Sequence, residues 1–132
     1  MDLEALVRTN AAFYAALDGR DVPAMERLWA ADHPVVCGHP GWPLIEGREQ
    51  VLASFRAILE NPGAPAVSCL ECRAMQGGGL GCTVCLEQVG GQQFLATNVF
   101  VIEEGRWRLL HHHASPVPTG PIPAPKPDGW MN

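Results

Sequence analysis

The sequence predicts an α+β fold in which a curved antiparallel sheet wraps around three N-terminal helices. Three observations carry the prediction. Apolar residues recur at helical spacing up to about residue 60 and at strand spacing beyond about residue 66. The change falls on Asn61-Pro62-Gly63, a run that ends helices. Turn residues at 77–79, 90–91 and 103–106 then divide the second half into strands. Helices first and a meander afterwards is the α+β order.

The first helix carries a stripe of Leu3, Leu6, Val7, Phe13, Tyr14 and Leu17 and stops at Gly19. Asp21 caps a second, short helix with Pro23 in its first turn, burying Met25, Leu28 and Trp29. Val35-Val36-Cys37 reads as a short strand that runs into the loop Gly38-His39-Pro40-Gly41-Trp42-Pro43. A third helix spans Arg48 to about Glu60 with Val51, Leu52, Phe55, Ile58 and Leu59 on one face. Strands are expected at about 66–75, 80–89, 92–103 and 106–114.

The 132 residues make one domain, expected at 1–114, followed by a proline-rich tail at 115–132 of extended, polyproline-like character. Ile122 and Trp130 would let that tail dock. With 47% hydrophobic and 17% charged residues, the chain is neither disordered nor crossed by an uninterrupted apolar span. The net charge of -5 argues against nucleic acid as a partner. Because Lys126 is the one lysine, no polybasic patch is expected. The acidic start Met1-Asp2-Leu3-Glu4 argues for a cytoplasmic location with reduced thiols.

Cys69-x-x-Cys72 and Cys82-x-x-Cys85 have the look of a four-thiolate zinc site. Their flanks favour strands, however, and residues three apart on a strand face opposite ways. A turn centred on Gly77 would set Cys69 opposite Cys85 and Cys72 opposite Cys82, as buried thiols with no shared metal. No cofactor is expected. A His111-x-His113 metal site with His39 as third ligand is the weaker alternative, since no carboxylate completes it and the facing of Glu87 is not fixed.

With residues 103–106 as the last turn, Ile102 should pair with Trp107, Phe100 with Leu109, Asn98 with His111 and Ala96 with His113. Alternation then puts Asn98, His111 and His113 on one face with Phe100 and Trp107, and His112 on the other with Arg108, Val99 and Val101. An apolar wall with a few convergent polar groups suits a small ligand. His39 and Trp42 would rim its mouth.

In order along the chain stand Phe13-Tyr14-Ala-Ala-Leu17, Asp21, Ala24-Met-Glu-Arg-Leu28-Trp29 and Ile45-Glu-Gly47-Arg48-Glu49. Thr97-Asn98-Val-Phe100 follows, and then Gly105-Arg-Trp107-Arg-Leu-Leu-His111-His-His113-Ala-Ser115. Over residues 3–117 this series resembles the nuclear transport factor 2-like superfamily, specifically its SnoaL-like branch. The resemblance implies a cone-shaped, cystatin-like fold with an internal pocket, lined here by Phe13, Tyr14, Trp29, His39, Trp42, Phe100 and Trp107. It also implies a homodimer formed through the outer sheet face, around Val99, Val101 and Leu110. The implied function is binding of a small, largely apolar ligand, with isomerase, cyclase or lyase chemistry carried by His111, His113 and Asn98. The alternative is a non-catalytic ligand-binding or dimeric interaction domain. The steroid-isomerase branch uses an aspartate base, a helix tyrosine and a protonated acid. Those positions fall here on Cys37 or Gly38, on Phe13 and on Asn98, so no carboxylate stands ready.

Overall fold

The computed structural model describes residues 2–118. Helix α1 spans Leu3–Asp18, and Asp2 caps it by accepting from the Ala5 amide at 2.8 Å. Helix α2 spans Val22–Leu28, with the Asp21 carboxylate accepting from the Ala24 amide. Met25 and Trp29 are buried as expected, while Leu28 is half-buried. Strand β1 is Val36–Gly38, β2 is Ile45–Glu46, and helix α3 is Arg48–Glu60. The long strands are β3 (Val67–Gly77), β4 (Leu80–Val89), β5 (Gln92–Glu103) and β6 (Arg106–Val117).

The strands form one six-stranded, unclosed sheet in the order β2-β1-β6-β5-β4-β3. The meander β3 to β6 is antiparallel, whereas β1 joins β6 in parallel, Cys37 beside His112. The short strand β2 was not anticipated; two residues are too few to show alternation. Strand β6 runs three residues past the expected domain boundary, because Val117 still pairs with Gln93. The remainder of the proline-rich tail, Ile122 and Trp130 included, lies outside the described residues.

Leu6, Phe13, Met25, Trp29, Phe55, Phe100 and Leu109 form the centre of the core between helices and sheet. Arg48 ties the helices to one another by donating to the backbone carbonyls of Glu26, Trp29 and Ala30. No helix among the described residues is long and apolar enough to cross a membrane.

Two β-bulges decide which side chains face the helices. In β6, Val99 opposes His111 and Phe100 opposes Leu109, so Leu110 is an extra residue. In β3, Leu70 pairs with Leu86 and Arg73 with Val84, and Glu71 sits at a φ of 50°. Each bulge reverses the alternation beyond it.

Candidate functional site

The β6 bulge corrects the expected faces. Trp107 and Leu109 point inward as anticipated, but beyond Leu110 the inward positions are His112 and Ala114. His112 is 4% exposed and stands opposite Asn98, the partner expected for His111. His111 is half-buried and His113 exposed, both on the other face. Strict alternation assigned three consecutive histidines to the wrong faces because it allowed no inserted residue.

His112 belongs to a buried polar cluster built from four elements. Helix α1 supplies Asn10 and Tyr14, β4 supplies Thr83 and Glu87, β5 supplies Asn98, and β6 supplies His112. The Asn98 amide nitrogen donates to Asn10 Oδ1 at 2.8 Å and to the Tyr14 hydroxyl at 3.3 Å. Its Oδ1 therefore faces His112 Nδ1 at 2.6 Å, and an amide oxygen can only accept. His112 thus carries its proton on Nδ1 and a lone pair on Nε2, which lies 3.9 Å from Glu87 Oε2. Thr83 also donates to Asn10 Oδ1 (2.7 Å), and Tyr14 donates to Glu87 Oε2 (2.7 Å).

Burial governs the charge states. It holds His112 down to about 3, helped by the neighbouring imidazoles of His39, His111 and His113. It pushes the Glu87 carboxyl up, against the pull of the Tyr14 hydrogen bond. The Tyr14 phenol is pushed far up by burial and then by the charge of Glu87. The cluster thus favours a neutral imidazole next to a carboxyl biased towards its protonated form. Tyr14, rather than Phe13, is the helix residue that reaches these groups; Phe13 packs edge-on against Tyr14 and Phe55.

His39 connects this interior to the surface. The single Ser54 hydroxyl proton goes to the Val51 carbonyl (2.6 Å), so His39 Nε2 is the donor in its 2.9 Å contact with Ser54. Burial lowers His39 to about 4. Its ring lies 6.3 Å from that of His112 and 4.9 Å from that of Trp42. A groove of about 440 Å³ opens here, lined by His39, Trp42, Leu44, His111, His113 and Ala114 among others. The structure therefore brings together four of the residues singled out in the sequence, His39, Trp42, His111 and His113, and separates them from Asn98. Trp29 and Phe100 are fully buried and Trp107 nearly so, which fills the cone at their positions.

Cysteine placement also differs from expectation. The hairpin turns at Gly78-Gly79, so Cys69 opposes Glu87 and Cys82 opposes Met75. The β3 bulge puts Cys69 and Cys72 on the same, inner face, where both sulfurs lie near the Asn10 amide nitrogen at 3.7 and 3.5 Å. Burial pushes the Cys37 and Cys69 thiols up to about 12. Among the described residues no group of three or more His, Cys, Asp or Glu side chains is placed to hold a metal ion.

The SnoaL-like domain family matches residues 6–120. The chain belongs to that family. A protein from Streptomyces avermitilis, assigned provisionally as a dehydratase of the NTF2-like family, is 31% identical with a TM-score of 0.80, covering 89% of this chain and 97% of that one. A protein from Thiobacillus denitrificans, assigned provisionally as an association domain of calcium/calmodulin-dependent protein kinase type II, is 29% identical with a TM-score of 0.73, covering 83% and 93%. The F-box protein SKIP8 of Arabidopsis thaliana is 30% identical over 113 residues, 84% of this chain and 49% of that protein. The SnoaL-like chain thus spans about half the length of that curated relative.

Proposed function

We propose that this SnoaL-like protein binds a small, largely apolar carbonyl compound and moves a proton on it. The observation that carries this reading is the oriented His112. Asn98 fixes its tautomer, which leaves Nε2 as a base beside the protonation-prone Glu87 carboxyl. His112 lies buried behind His39, so a ligand in the groove would bring its α-carbon to Nε2 only with the His39 and Trp42 side chains turned aside. For a 3-hydroxy carbonyl compound, His112 takes the α-proton, Glu87 protonates the departing hydroxyl, and water and an enone result. The relative from S. avermitilis, provisionally a dehydratase, supports this lyase class. His111 and His113 flank the entrance in this reading, while His112 takes the role that the sequence suggested for them. Five thiols suit a cytoplasmic location.

Proton NMR of 3-hydroxy ketones in deuterated buffer tests the proposal. The wild-type protein should exchange the α-protons and His112→Gln should not. Exchange at equal rates in both would remove His112 from the chemistry. A second reading, a non-catalytic binding domain, draws on the hydrogen bonds that already satisfy the cluster internally and on the packing of Trp29, Phe100 and Trp107. Ligand-dependent shifts without any exchange would establish it.

A further inference from the structure

Away from the cone, a second groove of about 480 Å³ lies between α1, α2 and the start of β6. Its walls include Arg8, Arg27, Arg106 and Arg108, four of the eight arginines in a chain of net charge -5. The expectation of no basic patch is thereby corrected: residues up to 100 positions apart in sequence converge only on folding. No aspartate or glutamate lines the groove among the described residues. Arg8 alone has a carboxylate within reach, Glu4 at 3.4 Å in an exposed pair of little energetic weight. Outside the groove, Arg48 and Arg20 are engaged by backbone carbonyls and Arg56 by the Glu26 carboxylate.

Two adjacent residues of this wall carry unanswered donors. Arg108 uses one Nη1–H on the Arg27 carbonyl at 2.8 Å, but its Nε–H is buried without an acceptor among the described residues. The Trp107 indole N–H, in a side chain that is 4% exposed, is likewise unpartnered. A buried donor left unpaired is costly, and a specific one calls for an explanation. Arg27, Arg106 and Arg108, gathered with no carboxylate in ion-pair reach among the described residues, point the same way. Guanidinium forks match the several acceptor oxygens of a phosphate, and Ala5, Ala12 and Leu28 offer apolar contact beside them.

We propose that this groove binds a small organic phosphate, its oxygens held by Arg27, Arg106 and Arg108 and its apolar part lying against α1 and α2. Phenyl phosphate, inorganic phosphate and citrate serve as probes, titrated at constant ionic strength by calorimetry and by the NMR signals of the arginine Nε–H and tryptophan indole N–H groups. Phenyl phosphate should saturate below about 10 mM, where even a millimolar ligand fills its site, and should bind tighter than inorganic phosphate. Arg27→Gln and Arg106→Gln, both at exposed positions that spare the core, should each weaken it about tenfold. Arg56→Gln, which removes an exposed arginine outside the groove, should leave it unchanged. The proposal is overturned by absence of saturation, by equal loss in Arg56→Gln, or by tighter binding of citrate than of phenyl phosphate.

Discussion

His112 Nδ1 lies 2.6 Å from Asn98 Oδ1, and this contact between neighbouring strands closes the polar chain that runs from Asn10 on α1 to β6. Asn98 is fully buried and uses both ends of its amide. Asn98→Leu keeps the approximate volume but strips a partner from His112 Nδ1–H and from Tyr14. Each buried polar group left unmatched costs about 1–3 kcal/mol. The expected outcome is a loss of about 2–4 kcal/mol in urea unfolding with an unchanged m-value. A loss below about 0.5 kcal/mol, the scale of ordinary surface changes, would mean that the chain of hydrogen bonds contributes little to stability.

The same burial predicts acid sensitivity beginning near neutrality. His112 and His39 titrate near 3 and 4 in the folded chain, against an ordinary value of 6.5. Below that ordinary value the unfolded chain takes up protons that the folded chain refuses. Stability therefore falls as pH drops through 6.5 and keeps falling to about 4 for His39 and about 3 for His112. The slope is at most about 1.4 kcal/mol per pH unit for each imidazole. Glu103, held at about 2 by His33 and the Ala31 and Asp32 amides against the upward push of burial, adds a loss in the same direction below its ordinary 4.5. Glu87, shifted upward, opposes them. The urea midpoint should decline steadily from pH 6.5 to 4, and His39→Leu should flatten about half of that decline. A midpoint constant over this range would contradict the burial of both neutral imidazoles.

Elements and candidate residues differ in how far local sequence determines them. Helices α1, α2 and α3 were legible to within a residue or two because Asp2, Asp21 and Asn61 stand at their ends and their apolar stripes are regular. The four long strands were legible because turn glycines separate them. The faces of β3 and β6 were not, since Glu71 and Leu110 enter their strands without a glycine or proline to mark a bulge. Glu87 and Thr83 alternate with Val84 and Leu86, and an apolar outer face gave no hint of which set turns inward. Ser54 looks like a polar residue on an ordinary helix until His39 is placed against it. The arginine groove left no local trace, because its walls come from three separate elements.

Packing at the top of β4 yields a prediction about close approach. A Cβ added at Gly81 would lie 2.9 Å from both Leu6 methyl carbons and 3.1 Å from Trp107 Cζ3. Leu6 is completely buried, so it has little room to yield. Gly81→Ala should cost about 1–3 kcal/mol, the usual penalty of overpacking. Leu6→Ala should be destabilising alone yet recover part of the Gly81→Ala loss in the double variant. Strict additivity in that cycle would show that the two side chains do not compete for the same space.

The outer sheet face supports one last prediction, concerning assembly. Leu70, Met75 and Leu95 project from β3 and β5 with 40%, 52% and 46% of their surface exposed. Half-buried Val84 and Leu86 on β4, the strand between them, and Val99 on β5 make the apolar area continuous across the sheet. A second copy of the chain can cover such a face with the same face, which a two-fold dimer requires. Light scattering should therefore give a dimer mass for the wild-type protein. Leu95→Arg, which puts an unpaired charge at the centre of that contact while leaving the inner face intact, should give a monomer with an unchanged circular dichroism spectrum. A wild-type monomer, or a Leu95→Arg dimer, would exclude this face as the site of self-association.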